Sequence, residues 1–210
     1  MTHATLRVLT SPELNNVISS YQHGAYEDMR GLRWKLCPLY DGFYDPSYIR
    51  PHMQRVDDFL RPWLAKHGMK RLPKLLEYCS MMRLILVQYA VHFGNMDLAT
   101  HLHKTVNLLL FPRWLHDLAA LNNQVDMLRF LQQIGHCGTS TRGLVWAAEF
   151  GHLPTVKYLI DMHKALHNDN VSRSTAARVA AKAGHLSIVR VLLNPKQQRF
   201  PQFVLTTTRS

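Results

Sequence analysis

Histidine is the residue with the most obvious chemical potential in this chain. There are thirteen in 210 residues, and a neutral imidazole can ligate a metal or move a proton near neutral pH. His163 and His167 are four apart and would share one face of a helix, while His101 and His103 bracket a single residue. Two histidines make a weak site without a third ligand. Asp161 and Asp169 lie near the first pair in sequence, but no Cys, Asp or Glu stands at a recognisable ligand spacing. Cys37, Cys79 and Cys137 are odd in number and widely spaced, which is neither a disulfide framework nor a zinc pattern, and we read them as reduced thiols. A phosphate-binding glycine loop, a G-x-S-x-G elbow and an H-E-x-x-H helix are all missing from the sequence. We therefore assign no catalytic residue, no metal and no cofactor, and expect a protein that is not an enzyme.

Two other histidines belong to a repeat. LVWAAEFGHLPTVKYLI, residues 144–160, and ARVAAKAGHLSIVRVLL, residues 177–193, are identical at seven of seventeen aligned positions and offset by 33. Ala147-Ala148 closes one short helical pattern and lets a neighbouring helix approach closely, and Gly151 supplies the left-handed position that stops it. Leu153, Val156, Leu159 and Ile160 then form one apolar stripe on a second helix of about ten residues. The unit is helix, tight turn, helix, loop, with His152 and His185 at the turn.

A period of 33 with AAxxGHLxxVxxLL resembles the ankyrin repeat. The T-P-L-H that opens the family's unit survives only in part. Thr175-Ala176-Ala177-Arg178 keeps the threonine and Arg142-Gly143-Leu144-Val145 keeps the leucine, so the stabilising histidine is absent from both copies. The resemblance implies an all-α fold, a short solenoid of helix pairs, and a non-catalytic protein-protein interaction module with an extended concave surface. In such proteins the two residues before Gly-His commonly face the binding groove. Here they are His92-Phe93, Leu121-Asn122, Glu149-Phe150 and Lys182-Ala183. Phe93, Glu149, Phe150, Arg178 and Lys182 are accordingly the candidate partner-binding residues. Phe93 and Phe150 would be aromatic anchors, with burial in a neighbouring unit as the equal competitor.

Weaker copies precede these two. YAVHFGNMDLATHL, residues 89–102, matches at Ala90, Phe93, Gly94 and Leu102, and LAALNNQVDMLRFL, residues 118–131, matches at Ala119-Ala120, Asn123, Val125 and Leu131. Asparagine can replace the turn glycine because it tolerates the left-handed conformation. Asp97, Asp126, Pro154 and Ser187, all suited to a helix N-terminus, fill the column that starts each second helix. The turn positions are 29, 28 and 33 residues apart. The shorter spacings predict tight loops in place of the family's β-hairpin, so that only the last two units should look ordinary. Arg129, Lys157 and Arg190 form a basic column on the second helices, which we read as a solvated face with acidic docking as the alternative. This divides the chain into a helical N-terminal region (1–80), about four divergent repeats (81–193) and a basic C-terminal tail (194–210).

Within the first 80 residues, SPELNNVISSY reads as a helix with Ser11 at the N-cap and Pro12 at N1. It is weakly similar to the opening of an F-box, and residues 21–37 do not clearly continue that motif. Residues 31–51, with Trp34, Pro38, Tyr40, Pro46 and Tyr48, read as an ordered loop whose aromatics pack on their neighbours. Residues 53–78 read as two short helices that echo the repeat around Gly68, and Ser80 could cap the next helix.

Charge is unevenly placed. The formal net charge is +11, and after Asp169 seven basic residues follow with no acidic one. Such an end favours an acidic partner, whether protein, nucleic acid or membrane surface. The most apolar run, 81–94, is interrupted by Arg83, Gln88 and His92 and is too short for a membrane span. The N-terminus lacks the apolar core of a signal peptide, so a cytoplasmic or nuclear location is expected. A protein partner fits best. Runner-up readings are a ubiquitin-ligase substrate adaptor, with Pro12 to Tyr21 on the ligase core, and nucleic-acid binding through the C-terminal region. Phe200, Phe203, Val204 and Leu205 in the tail either fold over the last helix pair or leave that end sticky.

Overall fold

The structure, a computed structural model, describes residues 12–14, 26–40, 45–112, 114–136, 138, 141–166 and 170–193. These residues form an all-α fold in which no strand occurs among the described residues. The helices are α1 (Glu27–Lys35), α2 (Pro46–His67), α3 (Leu72–Tyr78), α4 (Met81–Phe93), α5 (Met96–Val106), α6 (Leu115–Leu121), α7 (Val125–Gln133), α8 (Thr141–Glu149), α9 (Leu153–Leu166), α10 (Asn170–Lys182) and α11 (Leu186–Leu193). None of them is long and apolar enough to cross a membrane.

From α4 onward the helices come in pairs. The first members, α4, α6, α8 and α10, stack on one another as an inner row, and α7, α9 and α11 stack as an outer row. Alanine makes the inner row possible. Ala90, Ala119, Ala120, Ala147, Ala148, Ala176 and Ala180 are buried, and a methyl side chain keeps neighbouring backbones close. Ala181, the counterpart of buried Ala148, is exposed, because among the described residues no further unit covers α10.

Each pair turns in the same way. Gly94, Asn123, Gly151 and Gly184 have φ of 68, 57, 77 and 82°. The residue after each donates its amide to a carbonyl five residues back: Asn95 to Ala90 at 2.8 Å, Gln124 to Ala119 at 2.9 Å, His152 to Ala147 at 2.8 Å and His185 to Ala180 at 2.8 Å. This is the bonding of a helix that ends on a left-handed residue. The register read from the sequence, including asparagine at the second turn, is thus present in all four pairs. Asp97, Asp126, Pro154 and Ser187 each occupy the second position of an outer helix.

The structure corrects the reading in four places. Residues 31–51 are not one loop: Gly31 to Lys35 end α1, and Pro46 begins α2 at N1, where its missing N–H costs nothing, with Asp45 Oδ1 accepting from Ser47 N at 2.9 Å. Trp34 is 78 % exposed instead of packed. Residues 53–67 continue α2 as a single 22-residue helix that ends at Gly68, φ 62°, before a 3-10 turn (Met69–Arg71) and α3. Ser80 makes no side-chain capping bond to α4. Finally, the wider spacing of the last two turns goes into longer helices, α9 with 14 residues against the ten or so expected and α10 with 13; residues 167–169 between them lie outside the described residues. Of the first expected helix, residues 12–14 are helical; its remainder and the tail, 194–210, lie outside the described residues.

Candidate interaction surface

Three side chains join the inner helices at their C-terminal ends. His185 Nε2 donates to Glu149 O at 3.0 Å, His152 Nε2 to Leu121 O at 3.1 Å, and Asn122 Nδ2 to His92 O at 2.9 Å. The accepting residues are equivalent: each stands two before its turn residue. At a helix end these carbonyls have no partner within their own helix, so each unit supplies the donor that the preceding unit lacks. In the second unit asparagine before the turn replaces histidine after it. Burial, with the charge of Arg50 and His185 added, holds the His152 imidazole below its ordinary pKa, which keeps it neutral and able to donate through Nε2. His152 and His185 are therefore joints of the array.

These joints fix which side chains emerge at the row of helix ends. At the second position before the turn, His92 is 3 % exposed and Leu121 0 %, whereas Glu149 and Lys182 are exposed. At the position just before the turn, Phe93, Asn122 and Phe150 are half-buried and Ala183 is exposed. The row is closed at its first two units and open at its last two.

The chain's own N-terminal region meets the closed part. The extended stretch Leu36 to Tyr40 is fastened to α4 by Gln88, whose amide accepts from Leu39 N and donates to Leu39 O, both at 2.9 Å. His52 Nε2 bonds Cys37 O at 3.0 Å on the α2 side. Deeper in α2, Asp57 is 2 % exposed and accepts from Tyr89 Oη of α4 at 2.8 Å and from Arg61 Nε at 3.1 Å. Burial and the neighbouring carboxylate push the Tyr89 hydroxyl up to about 12, so it remains a donor. Burial, with the charge of Arg50 added, brings His92 down to about 4.

Arg50 reaches furthest. Its Nη2 donates to Leu121 O at 3.3 Å, the oxygen that His152 also uses, and its Cζ lies 3.7 Å from the centroid of the Phe150 ring. One residue of α2 thus touches the ends of two successive inner helices.

Of the five residues expected to bind a partner, Glu149, Arg178 and Lys182 are exposed. Arg178 and Lys182 are four apart on α10 and share a face. Phe150 lies under the Arg50 guanidinium. Phe93 belongs to the closed end, its ring 5.0 Å from Tyr89 and 4.8 Å, edge-on, from His92. The basic column Arg129, Lys157 and Arg190 is exposed on the outer row, with Arg129 paired to Asp126 at 3.4 Å. Sequence reasoning did not single out Arg50, Asp57 or Tyr89. The one signal available was the polar residues Gln88 and His92 inside an otherwise apolar run, which mark something polar packed on α4.

Of the two histidine pairs, His101 and His103 lie within the described residues. Among the described residues no group of three His, Cys, Asp or Glu is placed to hold a metal ion. His103 lies edge-on to Phe130 at 6.2 Å. The side chain of His163 and all of His167 fall outside the described residues, as does Cys137.

A family model for ankyrin repeats, in three copies, matches residues 115–201. The match begins at the first residue of α6 and takes in the last three helix pairs. No curated protein and no solved structure matches the chain.

Proposed function

We propose that this ankyrin-repeat protein is a non-catalytic interaction module whose protein partner docks on the open end of its row of inner-helix ends. Ankyrin repeats are in general protein-protein interaction modules. Within that role, Glu149, Phe150, Arg178 and Lys182 are the reading residues, with Phe93 at the margin, half-buried against Tyr89 and His92. The partner presents an acidic segment to Arg178 and Lys182, and the absence of acidic residues after Asp169 favours the same sign of charge. The pair α4–α5 is assigned to the same array as a fourth repeat because its turn makes the same five-residue bond as the other three. Residues 1–80 are then the N-terminal region, whose described part is helical and packs on α4, and 194–210 a basic tail.

The observation that carries this reading is the change along one row of equivalent positions, from buried His92 and Leu121 to exposed Glu149 and Lys182. Positions that the fold repeats but does not bury are free to differ in side chain, and a rigid row of them is what such solenoids present to partners. The test compares two double variants by affinity capture and quantitative mass spectrometry, with folding checked by circular dichroism. Arg178→Glu with Lys182→Glu should lose the captured partner, by tenfold or more for about 1.4 kcal/mol of lost interaction. Arg129→Glu with Arg190→Glu, on the outer row, should retain it. Equal retention by both would reject this surface.

A further inference from the structure

The contact between Arg50 and the array differs from the rest of the N-terminal packing. Gln88 and Asp57 hold their partners through buried bonds near 3 Å. Arg50 itself is an exposed residue that makes one longer bond, 3.3 Å to Leu121 O, and a face contact with Phe150. It is the fifth residue of α2, directly after Ile49, which is 1 % exposed and part of the core. The exposed Arg50 side chain can therefore leave while the backbone of α2 stays in place, held by Ile49 and by buried His52 and Asp57.

The receiving site has the chemistry of a guanidinium pocket. Phe150 offers a ring face, to which arginine is attracted electrostatically and by stacking of its flat group. Leu121 O is the last carbonyl of α6 and lies at the negative end of the helix, where a cation is favoured. A lysine ammonium could take up the charge but would not match the flat face.

We infer that the shelf formed by Phe150 and Leu121 O is an arginine-binding site of the array, filled by the chain's own Arg50 until that side chain swings aside and a partner's arginine replaces it. This rests on the reading of the open row as the docking face. It adds one positively charged anchor, at the shelf, to a partner segment that is otherwise acidic where it meets Arg178 and Lys182.

The experiment needs no partner. L-argininamide is titrated into the full-length, 15N-labelled chain, and amide shifts are followed at Leu121, Phe150 and His152. Arg50→Ala should give saturable shifts, and the wild type should bind about tenfold or more weakly, since only the fraction with the shelf vacated is competent. Arg50→Ala with Phe150→Ala should not respond, and lysinamide, of equal charge, should give no saturable shifts in Arg50→Ala. If Arg50→Ala does not fold, Arg50→Gln, which keeps most of the stem without the charge, takes its place. A folded single variant that ignores argininamide, that responds equally to lysinamide, or that responds equally without Phe150 overturns the site. Failure here leaves the Arg178 and Lys182 surface standing, and loss of that surface leaves the shelf standing, because the two experiments share no substituted residue.

Discussion

Gln88 shows how a single side chain decides the path of a whole segment. It is 1 % exposed and satisfies both backbone groups of Leu39, which would otherwise be buried without partners against α4. Gln88→Ala should therefore destabilise the protein by about 1–3 kcal/mol for each orphaned polar group. Urea denaturation checks the loss, and hydrogen exchange should show the Leu39 amide losing its protection. A surface glutamine would give neither result. In the sequence Gln88 reads only as an interruption of an apolar run, because the extended backbone it recognises, Leu36 to Tyr40, has no side-chain pattern of its own. Arg50 was hidden for a related reason: its partners, a carbonyl and a phenyl face, lie 71 residues away at Leu121 and further still at Phe150. No local spacing encodes such a contact.

At the scale of elements, the turns were the most legible part of the chain and α2 was the least. A left-handed stop, an alanine five residues before the joint, and an outer helix that opens with a polar residue or proline are all local demands, so they leave a repeated trace. α2 contains Pro46, Pro51 and Pro62, and its sequence looks like a broken loop. Tertiary contacts through Asp57, Tyr89 and Gln88 override that appearance. The turns also allow a graded prediction. Gly151 and Gly184 both have positive φ, but an added Cβ at Gly184 meets nothing within 4 Å, whereas at Gly151 it would stand 2.8 Å from His185 Cε1. Gly184→Ala should cost about 1–2 kcal/mol for the left-handed backbone alone. Gly151→Ala should cost more, since it also pushes His185 away from Glu149 O. Thermal and chemical unfolding of the two variants checks the order, and equal losses would mean that the histidine joint contributes nothing.

For the molecule as a whole, the buried histidines make stability depend on pH in one direction. His52, His92, His136 and His152 are all held below the ordinary imidazole value, first of all by burial. Above pH 6.5 these groups are neutral in both folded and unfolded chains, and no penalty arises. As pH falls below 6.5 the unfolded chain takes up protons that the folded chain refuses, so stability declines until the folded-state values are reached. For His92, about 4 in the folded chain, the full loss is about 3 kcal/mol. Urea midpoints should therefore fall between pH 6.5 and 4, and His92→Gln should flatten the slope. The same burial of His92 marks one end of the row, where the N-terminal region packs, whereas Glu149 and Lys182 at the other are exposed. The repeats carry part of that division in sequence, since Glu149 and Lys182 are charged where Leu121 is apolar, but nothing in their spacing tells which segment meets the first two units.

Photo-crosslinking tests that division most directly. With a photoreactive amino acid placed singly at Glu149, Lys182, Lys157 or Arg190 of the full chain, exposed in cells and resolved by mass spectrometry, one partner protein should be captured from Glu149 and Lys182 and not from the outer-row positions Lys157 and Arg190. Capture of that partner mainly from Lys157 and Arg190, or equally from all four positions, would contradict the account.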